Sequence, residues 1–541
     1  MFRISLPLPR NVQPKAWGFS LFGLAIACSL IDVTVQGGAL FNGQGLGTLG
    51  RFVGAAFQPN LTTDFLLLTC QATLTTFAYA ICGTFLSLVV GTIGGLLSAK
   101  LLWETIFPQG KRLGSGIRLL LAVPRSIHEV VWGLILINVW GLDPVVALGA
   151  IAIPFGAIVA KIFAEIIDET PRAAFAALIY SGVPTAQAFL YGILPQALFN
   201  LLSYSFYRFE CSLRSAAVLG IIGAGGLGYE IYLSLQSLRY EQLWTLFYAL
   251  IALNGVVDWG SHFLRQQLDC TSRFDLNSHR YKLGGQRRDW LLGTMLFGSG
   301  LVAWGFWYIQ PDWSRLWSGR GQDFLGEVMT QLQTVSFDFA QGKQLAILSL
   351  QTLEMSILAI ALAGVGGFFL AFLAAKNQRP IFWGQRLLSH LILLVCRSIP
   401  APIWALVVVF VMFPGILPGA IALGIHNLGI LGRLMGEVIE NVPPAPLNAL
   451  RNLGSSEGNV WLYGTVPLTL PNFIAYSFYR WEVCLRETVI VGLVGAGGLG
   501  RLLMEQLSSF NYGGVSLTLL CFLLLTWGVD SFSGFLRQQP R

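Results

Sequence analysis

Charged residues recur inside two otherwise apolar segments of the sequence. Glu210 and Arg214 are four residues apart in the first segment, and Glu482 and Arg486 repeat that spacing in the second. This spacing places acid and base on one face of a helix, with the acid first, which is the order that favours an ion pair. An unpaired charge at the middle of a bilayer costs roughly 2.5–3.5 kcal/mol on insertion scales, so pairing would stabilise each segment.

A further arginine lies next to each pair and leaves two compatible interpretations open. In one, the charges form a neutralised group that holds helices together. In the other, the surplus arginines line a path and attract an anion, because guanidinium groups bind oxyanions well. The second interpretation predicts four anion contacts: Arg208, Arg214, Arg480 and Arg486.

A glycine-rich segment follows each charged segment. Both copies read Gly-Ala-Gly-Gly-Leu-Gly, at 223–228 and 495–500. The letters fit a dinucleotide fingerprint, but no strand–helix–strand pattern surrounds them, and we reject that reading. Glycine permits unusual backbone angles and close helix approach, so we predict a tightly packed constriction, with a plain glycine-rich loop as the alternative. The predicted gate residues are Gly223, Gly225, Gly226, Gly228, Gly495, Gly497, Gly498 and Gly500.

These segments belong to a unit that the sequence contains twice. The second copy lies 272 positions after the first (486 − 214 = 272), and no gap is needed between Arg125 and Gln267. The same offset relates Tyr-Ser-Phe-Tyr-Arg at 204–208 to 476–480 and Phe-Leu-Arg-Gln-Gln at 263–267 to 535–539. A doubled apolar unit of this size is typical of a two-sided membrane protein.

The composition requires lipid as the solvent. Of 541 residues, 54% are hydrophobic and 11% are charged, whereas soluble proteins carry roughly a quarter charged residues. The net charge of +7 lies in loops between apolar segments, which fits membrane topology and not nucleic-acid binding. The eight cysteines are scattered without a CxxC pair, so we expect buried thiols, and neither disulfides nor a metal site.

The apolar segments predict an all-α integral membrane protein with about twelve transmembrane helices, arranged as two parallel six-helix repeats. The predicted helices lie near 17–35, 66–98, 117–140, 144–166, 196–213, 241–263, 290–309, 345–375, 387–413, 416–439, 468–487 and 514–536. Lys and Arg cluster before the first helix, two helices later and at 264–289, which places both termini in the cytoplasm. The predicted organisation is a cytoplasmic tail (1–16), a first repeat (17–263), a cytoplasmic linker (264–289), a second repeat (290–536) and a short tail (537–541).

A repeated cytoplasmic segment between the fourth and fifth helices of each repeat predicts a rigid elbow. A short helix would end at Gly182 or Gly454, and a second helix would follow before Pro195 or Pro467 opens the next span. Such an elbow could dock into a soluble partner. The predicted coupling residues are Ala176, Ala177, Leu178, Gly182, Leu194, Pro195, Asn448, Ala449, Leu450, Gly454, Val466 and Pro467.

The elbow resembles the EAA loop of ABC-importer permeases. Together with Tyr-Arg-x-Glu-x-x-x-Arg and the glycine-rich segment, the pattern is similar to the phosphonate/phosphite permease (PhnE-like) family, with two copies fused in one chain. The resemblance implies the type I importer (MetI-like) fold in a bacterial inner membrane. It also implies an ATPase dimer that uses ATP and Mg²⁺, an external substrate-binding protein, and a phosphonate, phosphite or hypophosphite as cargo. This chain would hold no cofactor and catalyse no reaction.

Two departures from the EAA pattern concern the elbow itself. Ala176 and Asn448 replace the glutamate, while Gly192 and either Thr465 or Gly464 replace the isoleucine. Nearby acids that could replace the glutamate are Glu165, Asp168, Glu169, Glu437 and Glu440.

Arg125-Ser126 and Arg397-Ser398, in the third span of each repeat, are further candidates for the path. An arginine beside a hydroxyl could contact a phosphate or phosphonate oxygen. It could equally extend to the cytoplasmic interface, which we favour.

Other classes of function fit less well. The sequence has no GxxxxGK[ST] and no HExxH, and its five histidines are dispersed, which argues against an intrinsic ATPase or a metal site. An intramembrane enzyme lacks a nucleophile–base pair. The main alternative is an ion-gradient-driven transporter with two six-helix halves, which would not need the matched elbows.

Overall fold

The computed structural model describes residues 13–36, 42–43, 45–105, 111–268, 285–333, 338–377, 384–492 and 495–537. The predicted linker and tails lie largely outside these ranges, at 269–284, 1–12 and 538–541. The chain forms two compact units, Gly54–Thr330 and Met1–Val53 with Gln331–Arg541.

The unit Gly54–Thr330 is built from helices throughout its described part. They are α3 Thr63–Ser98, α4 Lys100–Thr105, α5 Lys111–Ser126, α6 Glu129–Trp140, α7 Pro144–Glu169, α8 Ala173–Tyr180, α9 Thr185–Ala188, α10 Leu194–Leu219, α11 Leu227–Gln236, α12 Tyr240–Gln267, α13 Gly285–Ile309 and most of α14 Arg320–Gln333.

The other unit repeats this order. It contains α1 Gln13–Gln36, most of α2 Gly45–Ala55, α15 Phe339–Ala374, α16 Gln385–Ser398, α17 Ala401–Val409, α18 Ile416–Glu440, α19 Pro444–Asn452, α20 Glu457–Asn459, α21 Val466–Gly492, α22 Gly498–Ser508 and α23 Tyr512–Arg537.

Each unit has one closely packed helix pair at its centre, α3 with α7 and α15 with α18. Glycines allow the close approach: a Cβ added to Gly91 would lie 2.3 Å from Cγ1 of Val159, and one added to Gly367 would lie 3.1 Å from the backbone nitrogen of Gly432. Small residues at helix contacts are the usual solution in lipid, where association depends on van der Waals packing.

The first helix of each sequence repeat packs in the unit formed mainly by the other repeat. In one unit, Phe22 of α1 lies 5.1 Å from both Phe478 and Trp481, measured between ring centroids. In the other unit, Trp304 of α13 lies 6.2 Å from Phe77 of α3. The compact units therefore differ from the sequence repeats, and the chain passes between units within α2 and within α14.

Seven described helices are long and apolar enough to cross a membrane, and three bent pairs raise the number to ten if each pair crosses once. Two more predicted spans correspond to α1, of which Ser20–Asp32 is a short apolar helix, and to α21, which contains four charged residues. Helices therefore lie at all twelve predicted positions, of which ten at most meet the criteria of length and apolarity in the described part of the chain.

The third span of each repeat is not the single helix that we predicted. α5 and α6 meet at 86°, and α16 and α17 meet at 95°. His128 caps the second helix of the first pair, and Pro400 precedes Ala401 in the second pair, where proline keeps Ile399 extended.

Seven cysteines lie in the described ranges, and all are free thiols. The prediction of buried thiols is wrong for Cys28 and Cys70, which are exposed on the unit surfaces.

Candidate functional site

The acid of each fifth span contacts the last span of the same sequence repeat. Glu210 of α10 forms an ion pair with Arg265 and accepts a hydrogen bond from the hydroxyl of Ser261 at 2.7 Å. Glu482 of α21 is likewise bonded to Arg537. Arg265 and Arg537 belong to the repeated Phe-Leu-Arg-Gln-Gln segment, to which the sequence had given no role. Because the partners are 55 residues apart, helical spacing alone could not reveal them.

Arg480 lies in a buried network on α21. Its Nε donates to Oδ1 of Asn427 at 2.5 Å, and its Nη2 donates to Oε1 of Glu487, also at 2.5 Å. Nδ2 of Asn427 donates to the second oxygen of Glu487 at 3.0 Å, which closes the network. Arginine and carboxylate thus neutralise each other inside the unit.

The first repeat arranges the same positions differently. The guanidinium of Arg208 lies 3.5 Å from the ring centroid of Phe155, in a cation–π contact. Phe155 is the equivalent of Asn427. Ser215, the equivalent of Glu487, donates to Oε1 of Glu129 at 2.6 Å. Glu129 and Ser215 did not appear among the predicted site residues, since neither repeats in the second copy.

The two remaining arginines of the fifth spans have local contacts. Nη2 of Arg214 lies 3.3 Å from Sγ of Cys211, and Nε of Arg486 donates to the carbonyl of Glu482 at 3.3 Å.

The other predicted path residues, Arg125 and Arg397, lie in the last turn before the break in each third span. A tryptophan stabilises each break. Nε1 of Trp132 donates to the carbonyl of Pro124 at 3.3 Å, and Nε1 of Trp404 donates to that of Cys396 at 3.2 Å. These bonds use carbonyls at a helix end, which would otherwise lack a partner in lipid.

The glycine-rich segments form tight turns, and the helices on either side of the first one meet at 57°. Three glycines in each copy have positive φ, at 223, 225 and 226 and at 495, 497 and 498. The last glycine is required by space, since a Cβ on Gly228 would lie 1.7 Å from the carbonyl oxygen of Ala217, and one on Gly500 would lie 2.7 Å from that of Val489. The leucine before this last glycine donates its backbone N–H to a threonine hydroxyl: Leu227 to Thr76 at 2.8 Å, and Leu499 to Thr352 at 2.9 Å.

Both elbows have the predicted helix and glycine turn, but the second helix runs without a break into the fifth span, so proline does not open a separate helix. Gly182 and Gly454 have φ of 83° and 80°. The N–H of Val183 donates to Leu178 and that of Ser455 donates to Leu450, which completes the same Schellman turn at the end of α8 and of α19. Pro195 and Pro467 lie in the first turn of α10 and α21.

Glycine replaces isoleucine in both elbows for a steric reason. A Cβ added to Gly192 would lie 2.9 Å from Cα of Phe175, and one added to Gly464 would lie 2.8 Å from Cδ2 of Leu447. Phe175 and Leu447 are the buried residues of α8 and α19. Gly464, and not Thr465, is therefore the equivalent of Gly192.

Apolar side chains remain uncovered on each elbow. Leu190 and Tyr191 are 52% and 76% exposed, and their equivalents Leu462 and Tyr463 are 49% and 69% exposed.

The acids near the elbow hold the end of the long central helix. Asp168 accepts from the backbone N–H of Lys100 and Leu101 and pairs with Arg118 at 3.1 Å. Glu440 accepts from the N–H of Lys376 at 3.0 Å. These contacts give Asp168 and Glu440 a structural task within their units.

Residues 91–268 and 347–541 both match the family described as the binding-protein-dependent transport system inner membrane component. The chain belongs to this family. It contains the family domain twice, as the internal repeat predicted.

Relatives agree with this family. The chain is 25% identical over 419 residues to the phosphate-import permease protein PhnE of Mycolicibacterium smegmatis, covering 77% of this chain and 76% of the relative. It is 34% identical over 252 residues to the phosphite transport system permease protein PtxC of Stutzerimonas stutzeri, covering 46% and 88%. A chain of the MetNI methionine ABC transporter aligns with a TM-score of 0.32 and 19% identity, covering 35% and 94%.

The predicted resemblance and fold class are thereby confirmed. The protein is an all-α, multi-pass ABC-importer permease subunit of the inner membrane, in which two family domains share one chain. Permease subunits of this family are transport components, not enzymes.

Proposed function

We propose that this permease carries a phosphorus oxyanion into the cytoplasm, driven by a separate ATPase dimer and supplied by an external binding protein. The observation that carries the proposal is the pair of matched elbows, each closed by the same Schellman turn and each with uncovered apolar side chains. The names of the relatives support phosphite and phosphonate as cargo, and the M. smegmatis relative adds phosphate to the candidates.

The elbows are the proposed contacts for the ATPase. Tyr191 and Tyr463 occupy equivalent positions, and exposed aromatic residues of this kind are common at protein–protein interfaces. Each elbow continues directly into α10 or α21, so movement of an ATPase subunit would reach the charged fifth span. Alternating access follows if the two ATPase subunits close together on ATP. In this arrangement both elbows and both termini face the cytoplasm.

The fifth-span arginines and the arginines at the breaks are the proposed contacts of the anion. Arg208 and Arg480 are each only 7% exposed, so their charges act in a region of low dielectric constant. The glycine-rich turns at 223–228 and 495–500 are proposed as the outer constriction, because backbone of this kind can pack closely and reorganise.

Reconstitution tests the proposal. The chain would be placed in proteoliposomes with its ATPase and binding protein, and uptake of phosphite, methylphosphonate, hypophosphite and phosphate would be compared with and without internal ATP. We expect ATP-dependent uptake of at least one of these anions. Uptake that persists without ATP and is abolished by an uncoupler would instead establish the gradient-driven alternative.

The elbow is tested by a matched pair of changes. Tyr191→Ser together with Tyr463→Ser should lower ATP-dependent uptake about tenfold or more, because exposed aromatic anchors at an interface contribute about 2 kcal/mol or more. Trp259→Ser, at an exposed position on α12, is the control. Equal uptake by the tyrosine and tryptophan variants would remove the elbow from the interface.

A further inference from the structure

Two equivalent positions, one at the start of the second half of the third span and one in the fifth span, carry an acid in different order in the two repeats. In the first repeat, the pair at 129 and 215 is Glu and Ser. In the second, the equivalent pair at 401 and 487 is Ala and Glu. Each repeat therefore has one acid and one small residue in this pair, in opposite order.

Both arrangements bring a carboxylate to the same region of the fifth span. The carboxylate of Glu487 belongs to α21 itself. That of Glu129 comes from the first residue of α6 and lies 2.6 Å from Oγ of Ser215, the residue equivalent to Glu487. Glu129 is buried and Glu487 is largely shielded, with side chains 11% and 12% exposed.

The residues that contact the carboxylate differ between the two repeats, as its different position in the chain requires. Glu487 is held by Arg480 and Asn427. Glu129 is held by Ser215, and its other oxygen lies 3.1 Å from Nδ1 of His128. In the second repeat, Pro400 and Ala401 replace His128 and Glu129, so α17 offers no carboxylate there.

We infer that Glu129 and Glu487 perform the same task, each supplying the one buried carboxylate that its unit requires where the broken third span meets the fifth span. A unit with no carboxylate there loses the acceptor of a buried hydrogen-bond network. A unit with two carboxylates there holds like charges close together away from water. Both states are unfavourable, so the number of acids is fixed while their helix of origin is not.

The inference predicts sign epistasis, which reciprocal exchanges test in the full chain. Glu129→Ala with Ser215→Glu gives the first repeat the arrangement of the second. Ala401→Glu with Glu487→Ser gives the second repeat the arrangement of the first. We expect each of the four single changes to lower the thermal midpoint of the purified protein and to reduce uptake roughly tenfold, and each double change to restore both readouts to within about threefold of wild type in uptake.

Ser299→Glu, on α13, is the control for adding an acid in a span without such a pair. Double variants that lie nearer to wild type than to their worse single variant support the inference. Double variants nearer to the worse single variant overturn it, as do single variants with wild-type behaviour. If a single variant does not accumulate, recovery of its yield by the second change is judged by the same criterion.

A transport readout separates a positioning role from simple stabilisation, and this part rests on the proposed function. Glu487 holds the guanidinium of Arg480, so Glu487→Ser should raise the apparent KM for the transported anion, and adding Ala401→Glu should lower it again. An unchanged KM in Glu487→Ser would overturn the positioning role. The thermal midpoint requires no substrate, so a failed exchange remains distinguishable from a wrong cargo.

Discussion

Arg480 and Glu487 form an ion pair in the second repeat, and this pair has a consequence at the scale of single residues. Arg480 and Glu487 are an ion pair away from water. Removing one member of such a pair leaves the other charge buried and uncompensated, which costs about 3–5 kcal/mol.

We therefore expect Arg480→Gln to lower the thermal stability of the purified permease substantially, and Arg480→Gln with Glu487→Gln to recover most of the loss. Differential scanning fluorimetry in detergent checks both variants. If the double variant is no more stable than the single variant, the pair does not provide the stabilisation assigned to it. Uptake by the double variant then asks whether the positive charge itself is needed, since the fold is restored without it.

At the scale of elements, an indole hydrogen bond spans the break in each third span. Trp132→Phe or Trp404→Phe keeps the aromatic ring but removes the donor to the helix-end carbonyl, which costs about 1–3 kcal/mol when the acceptor stays buried. We expect a lower thermal midpoint for both variants. Trp259→Phe, at an exposed position, should leave the midpoint unchanged, and a drop of equal size in that variant would argue against the capping role.

The elbow glycines permit a second prediction about elements. Gly192→Val would drive a side chain into the backbone of Phe175, which cannot rotate away, and so displace α8. We expect loss of ATPase coupling in proteoliposomes, with protein yield measured beside it because Phe175 belongs to a buried cluster. Gly260→Ala, which has open space around it, is the matched control. Normal coupling in Gly192→Val would contradict a rigid elbow.

Periodicity and spacing predicted the elements well where the signal is local. The elbows follow from glycine and proline positions, and the long spans follow from apolar length. The breaks in the third spans were missed because the segments 117–140 and 387–413 are long enough and apolar enough for one helix each, although Arg125 and Arg397 interrupt them. The partners of Glu210 and Glu482 were missed because they depend on which helices pack together. Ser215 and Glu129 were not assigned to the site, because the copies differ at these positions and the predicted site residues were those that recur in both copies.

At the scale of the whole molecule, each compact unit contains helices from both sequence repeats. α1 contributes to the unit formed mainly by 331–541, and α13 contributes to the unit formed by 54–330. A chain divided in the linker, after residue 275, should therefore give two fragments that fail to accumulate separately but form an active permease when produced together. Membrane yield and co-purification check this. Stable, folded accumulation of residues 1–275 alone would show that the first helix is dispensable to the other unit.

Because the first helix packs on helices of the second repeat, it is synthesised long before its packing partners. Residue 36 leaves the ribosome about 300 residues before α15, the helix on which α1 packs, has begun at Phe339. At roughly 5–20 residues per second, α1 waits on the order of 15–60 s in the membrane without its neighbour. During that interval Phe22 lacks its aromatic neighbours Phe478 and Trp481. The nascent protein therefore has to tolerate a first helix whose packing partners belong to the second sequence repeat.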